Sequence, residues 1–185
     1  GSATLELSGV ICHSFGRSEA VLTKPEEARA APSKRTRFTS RLIALGARFQ
    51  RPMTLGVRGL VLDARNRVLL VRHTYVEGFY LPGGGVESGE TLAEALEREL
   101  SEEANVLLDA PPELFGMYFN RRFSMRDHVA LYVVRAFRLT QPRAPDREIA
   151  EADFFALDAL PAATTAGTRA RLSEALENTP VSPYW

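Results

Sequence analysis

The stretch from residue 84 to residue 106, GGVESGETLAEALERELSEEANV, decides how the whole chain is interpreted. Its apolar residues recur at helical spacing, about 100° per residue, and predict a helix over Thr91–Ala104. The residues on this apolar arc are Leu92, Ala93, Leu96, Leu100 and Ala104. Just before the helix, Pro82-Gly83 and the two following glycines break regular structure. Glycine has no Cβ, so we expect this turn to let the backbone approach a ligand closely.

Three glutamates occupy the arc next to the apolar one. Glu99, Glu102 and Glu103 stand at positions i, i+3 and i+4, which places their Cβ atoms roughly 5–6 Å apart. Like charges at this spacing repel each other, and the repulsion grows at the edge of a buried face, where the dielectric constant is low. Carboxylate oxygens are also the ligands that Mg²⁺ and Mn²⁺ prefer. The cluster is therefore either a solvated helix face or a face neutralised by a bound metal.

The glutamates belong to a longer pattern. Gly84, Glu90 and the run Arg98–Val106 resemble the signature box of the Nudix hydrolase family, G-x(5)-E-x(7)-R-E-U-x-E-E-x-G-U, in which U is aliphatic. Every fixed position matches except the last glycine, which is Asn105. A chance match is on the order of 10⁻⁸ per starting position. The resemblance extends over about residues 53–161, including the aromatic segment that begins at Phe154.

The resemblance implies a fold and an activity. The fold would be α/β (α+β), a Nudix-type α/β/α sandwich with a mixed β-sheet. The activity would be hydrolysis of a nucleoside diphosphate linked to another group, with water attacking phosphorus and Mg²⁺, or else Mn²⁺, as the cofactor. No signature of a subfamily that would identify the linked group follows the box.

The resemblance also assigns roles to residues of the box. It implies that the metal is held by Glu99, Glu102, Glu103 and the carbonyl of Gly83, with Glu102, Glu103 and Arg98 counted as catalytic. Arg98 would pair with Glu90 and hold the carboxylates in place. An ordinary surface pair of Arg98 with Glu94, and a dipole-favoured carboxylate at Glu90, are the alternatives.

Asn105 replaces the glycine that closes the box. A residue just past a helix often adopts the left-handed conformation, which glycine adopts most easily and asparagine next. We therefore predict that Asn105 has the same backbone role as the glycine it replaces. Gly84, at the start of the box, is also assigned a structural role.

A loop after the box offers a general base. The family often draws a base or an extra metal ligand from a loop some forty residues past the box, and here Pro142 and Pro145 predict a loop before the acidic residues Asp146–Asp153. Glu148, six residues before the aromatic Phe154, is our candidate for this catalytic role, ahead of Glu151. The alternative is that Glu148 pairs with a neighbouring arginine in solvent.

Aromatic and basic residues suggest a substrate surface. Phe119, Arg121 and Arg122 lie near the end of a predicted strand, and such residues can stack on a base or bind phosphate. Phe79 and Tyr80 precede the glycine turn and are candidates on the same grounds. The alternative is that the aromatic rings belong to the core and the arginines are solvated. His73 and His128, also at strand ends, favour a structural role.

Strands and a second helix surround the box. We predict a hairpin of Val57–Leu62 and Arg67–Arg72, because the four residues between them form turns readily. Further strands are predicted at Leu114–Asn120, at His128–Arg138 and over residues 149–157, and a last helix over Arg169–Asn178. Intermixed strands and helices favour an α/β or α+β class with a mixed sheet.

Composition is ordinary for a soluble globular protein. The 185 residues are 45% hydrophobic and 25% charged, with zero formal net charge, which argues against a protein that wraps nucleic acid over its whole surface. A single cysteine, Cys12, rules out an internal disulfide and makes a cytoplasmic location the default expectation. The longest apolar run, Val129–Val134, is far shorter than the roughly 20 residues that cross a bilayer.

The first fifty residues lie outside the resemblance. We expect a mobile arm over residues 1–34, where Gly1-Ser2 is typical of a cleaved tag, then a basic amphipathic helix over 35–51, and a Nudix domain over 52–185. The basic helix could pack on the domain, contact RNA or form a dimer. If the helix contacts RNA, the protein could be an RNA 5′-end pyrophosphohydrolase. The net negative charge of residues 52–185 argues against this alternative. A non-catalytic nucleotide sensor is a second alternative function. The sequence also leaves the choice between a monomer and a homodimer open.

Overall fold

A computed structural model describes residues 53–177 and 179–185. The predicted arm at 1–34 and the predicted basic helix at 35–51 lie outside these residues. The described elements, in chain order, are β1 (Thr54–Val61), β2 (Val68–His73), α1 (Leu92–Ala104), β3 (Val106–Leu108), β4 (Glu113–Phe119), β5 (Asp127–Val134), β6 (Phe137–Leu139), β7 (Ile149–Phe155) and α2 (Ala166–Leu176). Within this part of the chain, neither helix is long and apolar enough to cross a membrane.

The central sheet is mixed, as predicted. Strand β5 lies between β1 and β4. Its pairing with β1 is parallel, from Thr54 opposite Asp127 to Val61 opposite Val134, and its pairing with β4 is antiparallel. There are two further antiparallel pairs among the described strands, β2 with β7 and β3 with β6.

The turn between β1 and β2 forms as predicted, but the prediction that these two strands pair as a hairpin is wrong. The turn forms: the amide of Asp63 donates to the Arg67 carbonyl over 3.1 Å, and Asn66 adopts a φ of 55°. Beyond the turn, Leu62 and Val68 form a single bridge, after which β1 pairs with β5 and β2 with β7. The turn residues fix a local reversal of the chain, whereas the choice of strand partner depends on which faces are buried.

Helix α1 begins and ends at specific capping residues. Thr91 and Glu94 form a reciprocal capping box at its start. At its end, Asn105 has φ 55° and ψ 30°, and its amide donates to the carbonyls of Leu100 and Ser101. The prediction that Asn105 takes the left-handed role of glycine is therefore confirmed.

The core lies in two layers on opposite faces of the strands. One cluster joins Leu96 and Leu100 of α1 to Val57 and Val61 of β1. The other joins Leu60 of β1, together with residues of other strands, to Leu172 of α2. Alternate residues of β1 thus face different helices, which gives the predicted α/β/α sandwich.

Helix α2 begins before the predicted Arg169. Thr165 caps it, since its side chain accepts the amide of Thr168. The buried Arg171 lies over the rings of Tyr118 and Trp185, at 4.0 and 5.4 Å from their centroids. These contacts hold the segment 179–185 against β4.

Candidate active site

The glycine turn packs tightly along β1. The amide of Val57 donates to the carbonyl of Gly84 over 2.9 Å, and the amide of Gly59 donates to that of Pro82 over 2.8 Å. Gly83 has a φ of 136°, and a side chain there would collide with the backbone of Val57. Only glycine therefore permits this close approach, which places the backbone of Gly83 and Gly84 beside helix α1.

Glu103 is the buried acid of the site. It is 6% exposed, and its Oε2 accepts the amide of Gly83 over 2.7 Å. Its Oε1 lies 3.6 Å from Nε2 of His73. Burial raises the pKa of Glu103 to about 7, against the smaller opposing effects of the Gly83 hydrogen bond and the charge of Arg58. Burial also lowers the pKa of His73, so burial disfavours the ionised form of both groups.

The other two glutamates of the box are more accessible. The Glu99 carboxylate lies against Gly84 so closely that a Cβ on Gly84 would collide with it. The side chain of Glu102 is 63% exposed. The three carboxylates therefore range from buried to solvated along one helix face.

Arg98 ties the helix to the segment before it. Its guanidinium donates to Oε1 of Glu90 over 2.9 Å, to Oε1 of Glu99 over 2.8 Å and to the carbonyl of Gly85 over 3.0 Å. The two carboxylates, Glu90 first, raise the pKa of Arg98 further above its usual range. The surface alternative, a pair with Glu94, is not formed, because Glu94 belongs to the capping box. Arg98 thus positions Glu99 beside the glycine turn.

The donor set fits a divalent cation. All candidate ligands are oxygen atoms, as Mg²⁺ requires, and the buried carboxylate of Glu103 has a neutral amide as its hydrogen-bond donor. The hydrogen bond between Glu103 and Gly83 brings a carboxylate and the Gly83 backbone together at one point. In the described ranges, no three acidic or histidine side chains already converge closely enough to hold one ion. Binding would therefore draw mutually repelling carboxylates together.

Sequence reasoning missed Arg58. Its Nη1 donates to the carbonyls of Leu81, over 3.2 Å, and of Gly83. Its charge opposes the rise in the pKa of Glu103 that burial causes, and it adds to the lowering of the pKa of His73. An arginine in an apolar strand was the available signal, but the alternation of β1 alone does not say what such a side chain faces.

Glu148 lies within electrostatic reach of the buried acid. Its backbone carbonyl accepts the amide of Thr74 over 2.9 Å, next to His73, and its charge acts to raise the pKa of Glu103, His73 and Tyr75. The Glu148 side chain itself is exposed. Glu151 instead pairs with Arg72 over 3.0 Å. The preference for Glu148 over Glu151 as the general base stays a prediction.

An Asp–Arg pair organises the loop that carries Glu148. Oδ1 of Asp146 accepts the amides of Glu148 and Ile149, each over 2.8 Å. Arg143 pairs with Asp146 and also donates to the backbone carbonyl of Glu103 over 3.2 Å. Hydrogen bonds to the carboxylate, those from the two amides first, lower the pKa of Asp146 to about 2. The loop is thus tied directly to the end of α1.

A cleft of about 910 Å³ opens beside the glycine turn. Its lining includes residues of β1, the glycine turn, the loop after β4, the start of α2 and Trp185. Tyr80 and Arg122, two of the predicted substrate residues, lie on it. Among its lining residues, the buried Asp127 accepts hydrogen bonds from Thr54, over 2.6 Å, and Asn120, over 2.8 Å.

The other predicted substrate residues lie elsewhere. Phe79 is 8% exposed and packs edge-on against Phe155 in the core, so we no longer assign it to a substrate surface. Phe119 stacks on His128 at 5.3 Å between ring centroids, and Arg121 lies over the ring of Tyr184 at 4.5 Å. Neither Phe119 nor Arg121 is among the residues that line the cleft.

The fold and the site define the family. A model of the NUDIX domain matches residues 52–176, so the chain belongs to the Nudix family. A curated relative, the ADP-ribose pyrophosphatase of Methanocaldococcus jannaschii, is 33% identical over 104 residues, which are 55% of this chain and 61% of the relative. The match thus spans less than two thirds of that relative's length.

Solved structures share the fold. The MutT NUDIX hydrolase of Burkholderia pseudomallei is similar over 66% of this chain and 98% of its own, with a TM-score of 0.57 and 25% identity. An ADP-ribose pyrophosphatase of Streptococcus suis is similar over 71% of this chain and 95% of its own, with a TM-score of 0.51 and 23% identity. The second of these supports the fold alone.

Proposed function

We propose that the protein is a divalent-metal-dependent pyrophosphohydrolase that cleaves a nucleoside diphosphate linked to another group. The observation that carries this proposal is the buried carboxylate of Glu103 held against the backbone of Gly83. A buried acid whose burial raises its pKa to about 7 is costly to keep ionised. A cation bound there would offset that cost, and it would do so beside a cleft large enough for a nucleotide.

Each residue of the site has a defined task in this proposal. Glu99, Glu102, Glu103 and the carbonyl of Gly83 would hold the cation, which would neutralise the diphosphate and the charge that develops on it. Arg98 keeps Glu99 in place through its hydrogen bonds. Glu148 would accept the proton of the attacking water, because its backbone lies beside Thr74 at the end of β2 and its exposed carboxylate has no side-chain hydrogen bond among the described residues.

ADP-ribose is the first substrate to test. The curated relative from Methanocaldococcus jannaschii is an ADP-ribose pyrophosphatase, and the cleft offers both an aromatic and a basic side chain, Tyr80 and Arg122. An aromatic ring can stack on a base, and a guanidinium can bind phosphate. The same cleft would accept other nucleoside diphosphate derivatives, so the first assay is a panel.

The experiment is hydrolysis of ADP-ribose, nucleotide sugars, dinucleoside polyphosphates, nucleoside triphosphates and capped RNA with Mg²⁺, with Mn²⁺ and with EDTA. Glu102→Gln should lower the rate on the preferred substrate by at least about 10²-fold, because a metal ligand supplies several kcal/mol of transition-state stabilisation. Glu97→Gln, exposed on the same helix, is the matched control and should retain the rate. Full activity in EDTA would refute the proposal.

The rival functions gain no support from the described residues. A role on RNA depends on residues 35–51, which lie outside them. A sensor would be expected to lose carboxylates of the box, whereas Glu90, Glu99, Glu102 and Glu103 are all present. Cytoplasmic location and the choice between monomer and homodimer stay predictions.

A further inference from the structure

Arg58 is a cation at the centre of the site that the family signature does not include. It lies on β1 and shares a face with Leu60, which packs in the core cluster of α2. Its side chain is half-buried, lines the cleft and donates to the carbonyls of Leu81 and Gly83. The guanidinium thus lies between the glycine turn and the space proposed for the substrate.

The partners of Arg58 differ from those of the other arginines near the site. Arg98 donates to the carboxylates of Glu90 and Glu99, and Arg143 pairs with Asp146. Within residues 53–177 and 179–185, Arg58 forms no salt bridge and donates to backbone carbonyls alone. A guanidinium carries five N–H donors, and a half-buried charge is costly without an anion. The arrangement therefore leaves donors of Arg58 available for an anion in the cleft.

The carbonyl of Gly83 has two positively charged partners, one observed and one proposed. It accepts from Arg58 in the described structure, and in the proposed function it is a metal ligand. A guanidinium and a divalent cation repel each other strongly at contact distance. Arg58 must therefore leave this carbonyl when the site is loaded, and the cleft that it lines offers room for the displaced side chain.

We propose that Arg58 is a catalytic residue that binds an oxygen of the substrate's diphosphate, and that it occupies the Gly83 carbonyl until a divalent cation replaces it. This inference rests on the proposed function, since it assumes a diphosphate in the cleft. It assigns Arg58 two opposite effects: it weakens the binding of the cation to the free protein and strengthens the binding of the nucleotide.

Two substitutions separate these effects. Arg58→Gln removes the charge but keeps most of the side-chain stem, whereas Arg58→Lys keeps the charge and loses the planar fork that binds phosphate bidentately. Arg65→Gln, at an exposed position in the turn after β1, is the matched control. Thermal melts would confirm that all three variants fold.

The first measurement is Mn²⁺ affinity without nucleotide, by electron paramagnetic resonance. Arg58→Gln should bind Mn²⁺ at least about threefold more tightly than the wild type, because a competing positive charge is gone. Arg58→Lys and Arg65→Gln should stay within about twofold. Unchanged or weaker Mn²⁺ binding by Arg58→Gln would overturn the proposal, because a merely structural arginine would not restrain the metal.

The second measurement uses ADP as the probe, titrated calorimetrically in saturating Mn²⁺, together with kcat/KM for ADP-ribose. Arg58→Gln should weaken ADP binding and lower kcat/KM by roughly 10- to 100-fold, the effect of losing a hydrogen bond to a charged group, and Arg58→Lys should recover part of both. ADP binding within twofold of wild type would overturn the role of Arg58. A wild type that binds ADP through Arg58 but hydrolyses no member of the panel would instead refute the proposed function.

Discussion

Removing the charge of Glu103 should stabilise the metal-free protein, and the gain should grow with pH. Burial raises the pKa of Glu103 from its ordinary 4.5 to about 7. Between these two values the folded protein keeps a proton on Glu103 that the unfolded chain has released. Unfolding therefore releases a proton in this window, so stability falls as pH rises from about 4.5 to about 7 and is constant above it. Glu103→Gln removes this pH-dependent loss of stability.

The size of the effect follows from the pKa shift. One pKa unit corresponds to about 1.4 kcal/mol, so the ionised Glu103 costs the fold roughly 3 kcal/mol above pH 7. Glutamine can still accept the amide of Gly83, the hydrogen bond that Glu103 accepts over 2.7 Å. The variant should thus gain about 1 kcal/mol at pH 5 and roughly 3 kcal/mol at pH 8, and the latter is a rise in Tm of roughly 6–12 °C for a chain of this size.

The assay is thermal unfolding in EDTA from pH 5 to pH 8, comparing variant and wild type at each pH. The comparison cancels groups that titrate alike in both proteins; His73, which contacts Glu103, is not one of them. Glu97→Gln, an exposed glutamate on the same helix, is the control and should show a small difference that does not change with pH. A Tm difference for Glu103→Gln that does not change across this pH range would refute the conclusion that burial raises the pKa of Glu103.

Three further perturbations test other parts of the site. Glu148→Gln at saturating Mg²⁺ should lose about 10²- to 10⁴-fold in rate together with the acidic limb of the pH–rate profile, while Glu151→Gln should stay within about twofold; rescue by more metal would make Glu148 a ligand. Asn105→Val should lower the free energy of unfolding by about 1 kcal/mol or more, because a β-branched residue resists a φ of 55°, and Asn105→Gly should leave activity unchanged; melts that do not shift for Asn105→Val would contradict this. Deleting residues 1–34 should preserve kcat on a small nucleotide, and a collapse of kcat in a folded protein would show that this segment shapes the site.

Local signals made helix α1 predictable. The spacing of Leu96 and Leu100 identified its buried face, and both are fully buried in the structure. Asn105 was recognised as a left-handed cap because few residue types adopt that conformation at low cost. Ala93, placed on the same arc, is exposed instead, because the core covers only part of the arc. Features that depend on neighbours along the chain were thus read from the sequence.

Features that depend on residues distant along the chain could not be predicted from the sequence. The turn at Asp63–Arg67 was predictable, but the partners of β1 and β2 are strands some seventy or more residues away along the chain. Arg58 carries no local sign that it lies over the glycine turn, since period-two alternation leaves the environment of each face unspecified. The contact of His73 with Glu103 likewise depends on how β2 packs against α1.

In the proposed function, the charges around the glycine turn couple the binding of the metal, the proton and the nucleotide. Glu103 must lose its proton before its carboxylate can bind a cation, and Arg58 must release the Gly83 carbonyl. A nucleoside diphosphate brings further negative charge to a face that already carries Glu99 and Glu102, so it meets repulsion until that face is neutralised. Because ligand deprotonation accompanies metal binding, the same event that neutralises the glutamates also frees the guanidinium of Arg58. The residues of this site therefore favour one order of assembly, in which the cation is bound before the diphosphate.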